Sequence, residues 1–342
     1  MPRVSVLIPS HNRPLLLEQA LQSLDAQTAG DIDVIVIDDG SEPPVDEAVL
    51  RRATKWPVTL LRHQTARGQA CSREEAGALA EGDFVLHLDD DDLLAPQLIE
   101  RGLAAFEHDA ALGVVYFNVE GFGKRSGSFN RAQSAALERV LRSTESEKVD
   151  AATLRFGGDL FSALLQSVPM AFQRPMARRT VWQQVTRMRR DAYGDSHPLL
   201  PPMREAEWSL YAAATQAVAL VTDRLYLQRC EGQGFFSVDS QRSVAAFALV
   251  DVFDHLAEAS KTKLSVTRWR REIVKAQARC HFDVAYAHFF AGSRRAAYAS
   301  LRRALTLQLD PDYLRFGVRM LLPRIRPSAP TARKQAPETD AG

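Results

Sequence analysis

An apolar segment runs directly into four consecutive aspartates in the stretch Phe84-Val85-Leu86-His87-Leu88-Asp89-Asp90-Asp91-Asp92. At about 5 Å, each pair of adjacent carboxylates repels by roughly 1 kcal/mol in water and by roughly 3 kcal/mol at an effective dielectric of 20. A fold that keeps them at the end of a buried strand therefore needs a divalent cation, or donors that fix the carboxylates. The alternative is a solvated acidic turn that caps the next helix.

The first 120 residues alternate two hydrophobic periodicities. Continuous apolar or β-branched runs predict strands at 4–8, 34–37, 58–61, 84–88 and 113–119. Apolar residues at helical spacing predict helices at about 14–29, 44–53, 70–81 and 95–107. Alternation of this kind predicts an α/β fold with a mostly parallel sheet that is flanked by helices on both faces.

Polar clusters follow three of the predicted strands. The first strand runs into residues 9–13 (PSHNR), the second into residues 38–41 (DDGS), and the fourth into the aspartate run. In open α/β sheets, ligands bind outside the carboxyl ends of the strands, so the three clusters predict one pocket. There, Asp38 or Asp39 could accept hydrogen bonds from a nucleobase or a ribose; the alternative for them is a helix N-cap.

The aspartate run also indicates which metal would bind. In a strand, side chains alternate between faces, so Asp89 and Asp91 could share one side. Ligand sets made only of oxygen suit Mg²⁺ or Mn²⁺ rather than zinc. Magnesium is usually held by one or two carboxylates together with substrate phosphates, which favours a nucleoside diphosphate as the ligand.

Composition limits the class of protein. The chain has 342 residues, 46% of them hydrophobic and 25% charged, and its net charge of +1 gives no sign of nucleic-acid binding. Three widely spaced cysteines match no metal motif and favour a reducing compartment. Because neither a signal-peptide core nor an 18-residue apolar run is found, we expect a cytoplasmic protein.

Three segments carry a family resemblance. Residues 4–13 (VSVLIPSHNR), 34–41 (VIVIDDGS) and 88–92 (LDDDD) resemble family 2 glycosyltransferases, whose catalytic domain has the GT-A fold. The resemblance covers about residues 1–120. It implies a metal-dependent inverting glycosyltransferase that moves a sugar from a nucleotide diphosphate donor, most commonly a UDP-sugar, to a hydroxyl of a glycan or lipid-linked acceptor. Synthesis of cell-surface glycans or polysaccharides is the context that it implies.

The resemblance also implies roles for individual residues. Pro9, Ser10 and Arg13 would line the nucleotide site, together with His11, which stands where the family usually has a tyrosine. The base would be bound by Asp38 or Asp39, and the ribose side by Asp89 or Asp90. Asp91 would hold Mn²⁺ or Mg²⁺, with Asp89 as the second candidate ligand, and Asp92 would cap the following helix. Arg73 matches a family arginine, although a helix-surface charge is its alternative role.

The catalytic base is expected in the second half of the chain. The family has an acidic pair before a tryptophan, and here Glu207 precedes Trp208 while Ala206 replaces the first acid. Glu207 would take the acceptor's proton, with Glu205 as the competing candidate; the alternative is an ordinary acidic helix N-terminus. The altered pair leaves open a catalytically degenerate GT-A-fold partner protein, whereas residues 9–13 lack the glycine-rich signature of a nucleotidyltransferase.

The domains follow from these patterns. Residues 1–238 would form the glycosyltransferase domain, with nucleotide-sugar binding in 1–120 and the catalytic and acceptor half in 121–238. That half is expected to hold loops, helices at about 131–142 and 203–220, and a strand at 225–227. A small all-α C-terminal region (239–322) and a disordered tail (323–342) would follow.

The helical region is rich in basic residues. We expect an apolar face on its last helix, formed by Leu314, Phe316, Val318, Leu321 and Leu322. Such a helix could lie on the inner face of an anionic membrane as a peripheral contact; the alternative is a helix docked on its own domain.

Overall fold

The structure is a computed structural model, and it describes residues 3–28, 30–157, 159–193, 201–231, 250, 252–254, 256–257 and 267–321. Within these residues one mixed sheet carries the fold. Its strands are β1 (Arg3–Ser10), β2 (Asp31–Asp38), β3 (Val58–Arg62), β4 (Phe84–His87), β5 (Leu93–Leu94), β6 (Leu112–Phe122), β7 (Ser146–Lys148), β8 (Thr153–Phe156), β9 (Pro175–Arg178) and β10 (Ala217–Arg229).

Helices cover both faces of the sheet, as the alternating pattern predicts. They are α1 (Pro14–Asp25), α2 (Glu47–Ala53), α3 (Gln69–Leu79), α4 (Leu98–His108), α5 (Ser126–Ser143), α6 (Leu160–Gln166), α7 (Arg179–Tyr193), α8 (Pro201–Thr215), α9 (Arg270–Phe290), α10 (Arg294–Leu307) and α11 (Pro311–Leu321). A 3-10 helix spans Met170–Gln173.

The strand order is β3-β2-β1-β4-β9-β6-β10-β8-β7, and β5 pairs with β10. The first four strands run parallel, as predicted. β9 is antiparallel to both of its neighbours, β4 and β6. The carboxyl ends of β1, β2 and β4 therefore meet at one edge of the sheet.

Two cores lie on opposite faces of the sheet because strand side chains alternate. Val4, Val6 and Ile8 of β1 pack into one core with α1 and α4. Leu7 packs into the other, which includes residues of α3, α6 and α8. Apart from Ser5, which is buried and bonds to Asp33, β1 contributes apolar side chains to both faces of the sheet between residues 4 and 8, which explains why a mostly apolar run predicts this strand.

Some elements differ from those predicted. Residues 120–160 contain the strands β7 and β8 besides α5, and the helix expected to continue to 220 ends at Thr215 and gives way to β10. β9 was not predicted, because its four residues begin with a proline and show no alternation. The expected domain boundary at 238 and the tail from 323 lie outside the described residues.

The C-terminal helices pack against the helices that cover the sheet at one end. Trp269, just before α9, packs on Phe161 of α6 with ring centroids 4.3 Å apart, and Ile273 belongs to the same core. Farther along, α9, α10 and α11 enclose a separate small core. A search of the described residues finds no helix with the length and hydropathy needed to cross a membrane.

Candidate functional site

A cleft of about 760 Å³ lies where β1, β2 and β4 end, at the edge of the sheet where the sequence predicts a pocket. What we call the strand-end half is lined by Pro9, Ser10, His11, Arg13, Asp39, Gln69 and Asp89–Asp92. What we call the α5 half is lined by Arg125, Ser128, Phe129, Ala132, Gln133, Ala136, Ser167, Val168, Pro169 and Met170. Residues that complete the lining are Gln173, Arg174, Glu205, Gln228, Arg229, Cys230 and Glu231.

The loop after β1 holds the middle of the aspartate run. Ser10 Oγ donates to Asp90 Oδ2 at 2.8 Å, and Arg13 donates from the same guanidinium nitrogen to Asp90 Oδ1 at 3.1 Å and Asp91 Oδ2 at 3.0 Å. Burial raises the pKa of Asp90 to about 6 although Arg13 opposes the shift. Burial and the neighbouring Asp89 likewise raise the pKa of Asp91.

Asp89 is held by side chains from three other segments. Its Oδ1 accepts from Arg73 at 2.5 Å and from Gln69 at 2.7 Å, and its Oδ2 accepts from Arg174 at 2.6 Å. Its backbone N–H donates to the hydroxyl of Tyr226 on β10. Burial would raise the pKa of Asp89, but Arg174 and Arg73 outweigh it, so the pKa is lowered and the group remains a carboxylate.

Asp92 does not cap the following helix, which is where the expectation from sequence is wrong. Its Oδ1 accepts from the backbone N–H of Arg229 at 2.8 Å, on β10, and the residue before α4 is Gln97. Burial, Asp89 and Asp91 together raise the pKa of Asp92 well above its usual range. Asp92 therefore joins the aspartate run to the last strand of the sheet.

The carboxylates of this run could hold a divalent cation. Asp89, Asp91 and Asp92 each offer an oxygen, and these oxygens lie within 4.8 Å of one another. The raised pKa values of Asp91 and Asp92 arise from burial and mutual repulsion, which a cation would relieve. An oxygen-only set suits Mg²⁺ or Mn²⁺, so the residues present fit the predicted metal.

Asp38 and Asp39 have different environments although they are adjacent. Asp38 is fully buried and is not among the residues that line the cleft. Its two oxygens accept from the backbone N–H groups of Ser41 at 2.9 Å and Val45 at 3.0 Å. Of the two residues expected to bind the nucleobase, only Asp39 is among those that line the cleft.

Asp39 is fixed mainly by the loop before α3. It accepts from the backbone N–H groups of Arg67 and Gly68, each at 2.8 Å, and pairs with His63 Nδ1 at 2.7 Å. Burial opposes ionisation, but these donors prevail and lower the pKa of Asp39. Its carboxylate is therefore ionised and oriented.

His11 lies beside this loop and is locked by local bonds. Its Nδ1 lies 2.7 Å from the carbonyl oxygen of Asp39, so Nδ1 carries a proton, and Nε2 lies 2.9 Å from Asn12 Nδ2. Asn12 has a positive φ of 56°, a conformation that asparagine tolerates better than most residues. The imidazole of His11 is thus held in one orientation at the rim of the strand-end half.

Four charged side chains form a ring under the cleft, which we call the charge ring: Arg73, Asp89, Arg174 and Glu205. Each arginine contacts both acids, since Arg73 pairs with Asp89 and Glu205, and Arg174 pairs with Asp89 at 2.6 Å and Glu205 at 3.6 Å. Both guanidiniums are almost fully buried. Arg73 is therefore an internal ion-pair partner and not a helix-surface charge.

The two candidates for the catalytic base lie in different places. Glu205 lines the cleft, whereas Glu207 is completely buried and is not among the lining residues. Two residues along a helix correspond to about 200°, so their side chains leave α8 on opposite sides. Trp208, the landmark used in the sequence, is buried and donates to Thr186 of α7.

Sequence reasoning did not single out Gln69 or Arg174 as site residues. Gln69 follows the loop of Arg67 and Gly68, and its place at the start of α3 could have suggested that it faces a strand end. Arg174 stands alone between the 3-10 helix and β9, in a stretch without any periodicity. Its guanidinium lies 5.3 Å from the centre of the Tyr226 ring, a contact that only the fold reveals.

Comparison with solved structures agrees with the fold that the sheet defines. The GT-A-type architecture is shared with S. aureus TarS 1-349 (TM-score 0.50, 16% identity, 90% of this chain and 92% of that one). It is also shared with the mannosyltransferase PcManGT from Pyrobaculum calidifontis, solved with GDP-Man and Mn²⁺ (TM-score 0.53, 18% identity, 93% of this chain and 80% of that one). At these identities, the likeness concerns the fold alone.

Sequence comparison finds a family match over part of the chain. Residues 5–167, just under half of the chain, match the profile of Glycosyl transferase family 2. An uncharacterized glycosyltransferase of Haemophilus influenzae is 34% identical over 113 residues, 33% of this chain and 37% of that protein. The GalNAc(5)-diNAcBac-PP-undecaprenol beta-1,3-glucosyltransferase of Campylobacter jejuni is 27% identical over 170 residues, 49% of this chain and 53% of that protein. The chain thus spans about a third to a half of these relatives.

Proposed function

We propose that this protein transfers a sugar from a nucleotide diphosphate donor to a hydroxyl acceptor, with inversion at the anomeric carbon and with Mn²⁺ or Mg²⁺ as cofactor. The observation that carries the proposal is the convergence of Ser10, Arg13 and the aspartate run in one cleft of the family-matched segment. Relatives named as glycosyltransferases support the reaction class. Synthesis of a cell-surface glycan or polysaccharide is the proposed context, with UDP-sugars as the first donors to test.

In this proposal the strand-end half binds the donor. Asp39, His11 and Pro9 contact the base, and Asp89 and Asp90 lie on the ribose side. Arg13 adds a cation near the diphosphate. Asp91, with Asp92 and Asp89 beside it, would hold the metal, whose charge would offset the negative charge of a departing diphosphate.

The reaction needs one proton acceptor from the protein. The acceptor oxygen forms a bond to the anomeric carbon while the bond from that carbon to the diphosphate oxygen breaks, and the acceptor's proton passes to a carboxylate. A general base must come within about 3 Å of that proton, directly or through one water. We propose Glu205 for this role because it lines the cleft; Glu207, which is completely buried, is the second candidate.

Paired substitutions distinguish the two candidates for the catalytic base. Glu205→Gln should lower the transfer rate by about 10²–10⁴-fold, the usual contribution of a general base. It should also lower stability, because Arg73 and Arg174 then share one carboxylate, so rates are compared at a temperature where thermal shift shows the variant folded. Glu207→Gln should leave transfer largely intact and act mainly on stability. Loss of transfer in Glu207→Gln alone would assign the base to Glu207.

The function itself is tested by metal-dependent use of nucleotide sugars. Purified protein would be screened by thermal shift with UDP- and GDP-sugars in the presence of Mn²⁺, and donors that stabilise it would be tested for turnover. Asp91→Asn should reduce turnover by about 10²–10³-fold, whereas Asp31→Asn, an exposed change at the opposite end of β2, should not. Equal turnover with and without metal would refute the proposed cofactor.

A catalytically degenerate partner protein in glycan synthesis is the second candidate function. The replacement of the first acid by Ala206 and the burial of Glu207 favour it. Such a protein would bind the donor with metal but would neither hydrolyse it nor transfer its sugar. Turnover by the wild-type chain would eliminate this candidate.

We also propose a peripheral contact between α11 and an anionic membrane. Leu314, Val318 and Leu321 are 49%, 62% and 72% exposed and share one face, while Arg315 and Arg319 flank it. Phe316, expected on the exposed apolar face, is instead buried against α9, and Leu322 lies outside the described residues. Flotation with anionic vesicles, weaker with neutral vesicles and with Val318→Asp, would support the contact; no flotation would refute it.

A further inference from the structure

The α5 half of the cleft has a different chemistry from the strand-end half. One face of α5 lines it, and across from that face lies the segment Ser167–Met170, between α6 and the 3-10 helix. The side chains of Phe129, Ala132, Ala136, Val168, Pro169 and Met170 make most of this surface apolar. Arg125, the charged residue of this half, and Glu231, which helps to complete the cleft lining, are both exposed.

Several polar side chains in and beside this half bond to the protein's own backbone. Gln133 Oε1 accepts from the N–H of Met170 at 2.9 Å, and Gln173 Nε2 donates to the carbonyl of Val168 at 2.8 Å. Ser128 Oγ donates to the carbonyl of Arg125 at 2.9 Å. Recognition of a sugar ring needs several polar partners, since a buried hydroxyl without one is costly; a hydrocarbon needs none.

The shape of the α5 half is fixed by contacts between α5 and β6. Asn130 accepts from the N–H of Gly121 at 2.7 Å and donates to its carbonyl at 3.2 Å. A Cβ at Gly121 would lie 2.5 Å from Phe129 Cδ1, so glycine is needed for the phenyl ring to take its position. Beside that ring, Ala132 and Ala136 contribute only methyl groups to the cleft lining.

We propose that the α5 half binds an alkyl chain carried by the acceptor, so that the acceptor is a lipid-linked one. The inference rests on the proposed function, in which the strand-end half of the same cleft holds the donor. When an acceptor hydroxyl reaches the donor's anomeric carbon, the rest of the acceptor molecule lies along α5. Burial of each methylene there would tighten binding about fourfold.

Alkyl glycosides test this directly. Octyl and methyl β-glucosides, β-galactosides and β-N-acetylglucosaminides would be titrated calorimetrically into the full chain below micelle-forming concentrations. For at least one sugar, the octyl compound should bind at least tenfold more tightly than the methyl compound, since three buried methylenes give roughly a sixtyfold gain. Equal affinities, or no binding by any octyl compound, would overturn the proposal.

Two matched substitutions test where the alkyl chain binds. Ala132 and Ala135 are both exposed on α5, but only Ala132 is among the lining residues. Ala132→Asp should abolish the octyl advantage and Ala135→Asp should preserve it; equal losses would overturn the site. Exposed positions leave folding unchanged, which circular dichroism would verify.

The donor assay separates this inference from the function on which it rests. Ala132→Asp should keep the thermal stabilisation given by a nucleotide sugar with Mn²⁺. If wild-type protein shows that stabilisation but no octyl advantage, the alkyl site fails and the transferase proposal stands. If neither is seen, the transferase proposal has failed first.

Discussion

Two aspartate clusters lie at the carboxyl ends of β2 and β4 in the same sheet, and their surroundings differ. Asp38 and Asp39 accept mainly from backbone N–H groups of nearby loops. In the run Asp89–Asp92, side chains supply most of the donors, among them Ser10 and three arginines, of which Arg13 is partly exposed. Main-chain donors fix a carboxylate permanently, whereas side-chain donors can exchange for a metal or a substrate.

This difference shows which cluster can respond to a ligand. The pKa of Asp39 is lowered because its donors outweigh burial, so it is already stabilised as an anion. Burial and repulsion raise the pKa values of Asp90, Asp91 and Asp92, so the positive charge of the neighbouring arginines does not fully offset them. A divalent cation would stabilise the second cluster far more than the first.

The charge ring gives the largest effect that this comparison predicts. Arg174→Met leaves Asp89 and Glu205 buried with one guanidinium between them, and should cost about 3–5 kcal/mol in the free energy of unfolding. Urea denaturation would measure the loss. Arg139→Met, an exposed change on α5, is the control and should stay within about 0.5 kcal/mol of wild type.

A double-mutant cycle would sharpen that result. Glu205→Met in the Arg174→Met background removes a buried acid that has lost one partner, so the second substitution should cost less than it does in wild type. Additive losses would show that the two side chains do not interact and that the charge ring does not exist in solution.

Backbone-held Asp38 should show a smaller effect on stability. Asparagine keeps one acceptor oxygen but loses the other, so Asp38→Asn leaves a buried N–H of Ser41 or Val45 unpaired and should cost about 1–3 kcal/mol. Asp46→Asn is the control, because asparagine caps a helix as well as aspartate does and Asp46 caps α2. Unchanged urea midpoints for Asp38→Asn would contradict the assignment.

Much of the sheet could be predicted from sequence, for a physical reason. β1 and β2 are buried on both faces, so they appear as mostly apolar runs that end in polar clusters. β9 has only four residues and begins with proline, yet it fits between β4 and β6 because both neighbours supply its hydrogen bonds. Its existence depends on tertiary pairing and leaves no local pattern.

The candidate site shows the same limit on what local sequence patterns can predict. Ser10, Arg13 and Asp39 follow predicted strands directly and line the cleft as expected. Arg174 and Glu205 reach it from elements whose packing no local pattern encodes. Helical geometry also places Glu205, and not Glu207, among the residues that line the cleft. A family pattern assigns a position along α8, whereas burial depends on which face of the helix meets the core.

His63 offers the smallest and most selective test of the comparison. It lies between Asp39 at 2.7 Å and Glu75 at 2.6 Å, and although burial opposes its charge, these two acids raise its pKa above the usual value. Because the pKa is higher in the folded than in the unfolded protein, the stabilisation is complete below about pH 6.5. It is lost as the pH rises through the folded pKa. A neutral imidazole keeps one of its two N–H donors, so the loss is partial.

Unfolding free energies of wild type and His63→Gln at pH 6 and pH 9 would measure this stabilisation. Both pH values lie above the titration of ordinary carboxyls, so Asp39 and Glu75 stay ionised throughout. The advantage of wild type over His63→Gln should be larger at pH 6. An advantage that grows toward pH 9 would mean that His63 is neutral in the folded protein, and that backbone donors alone hold Asp39 in place.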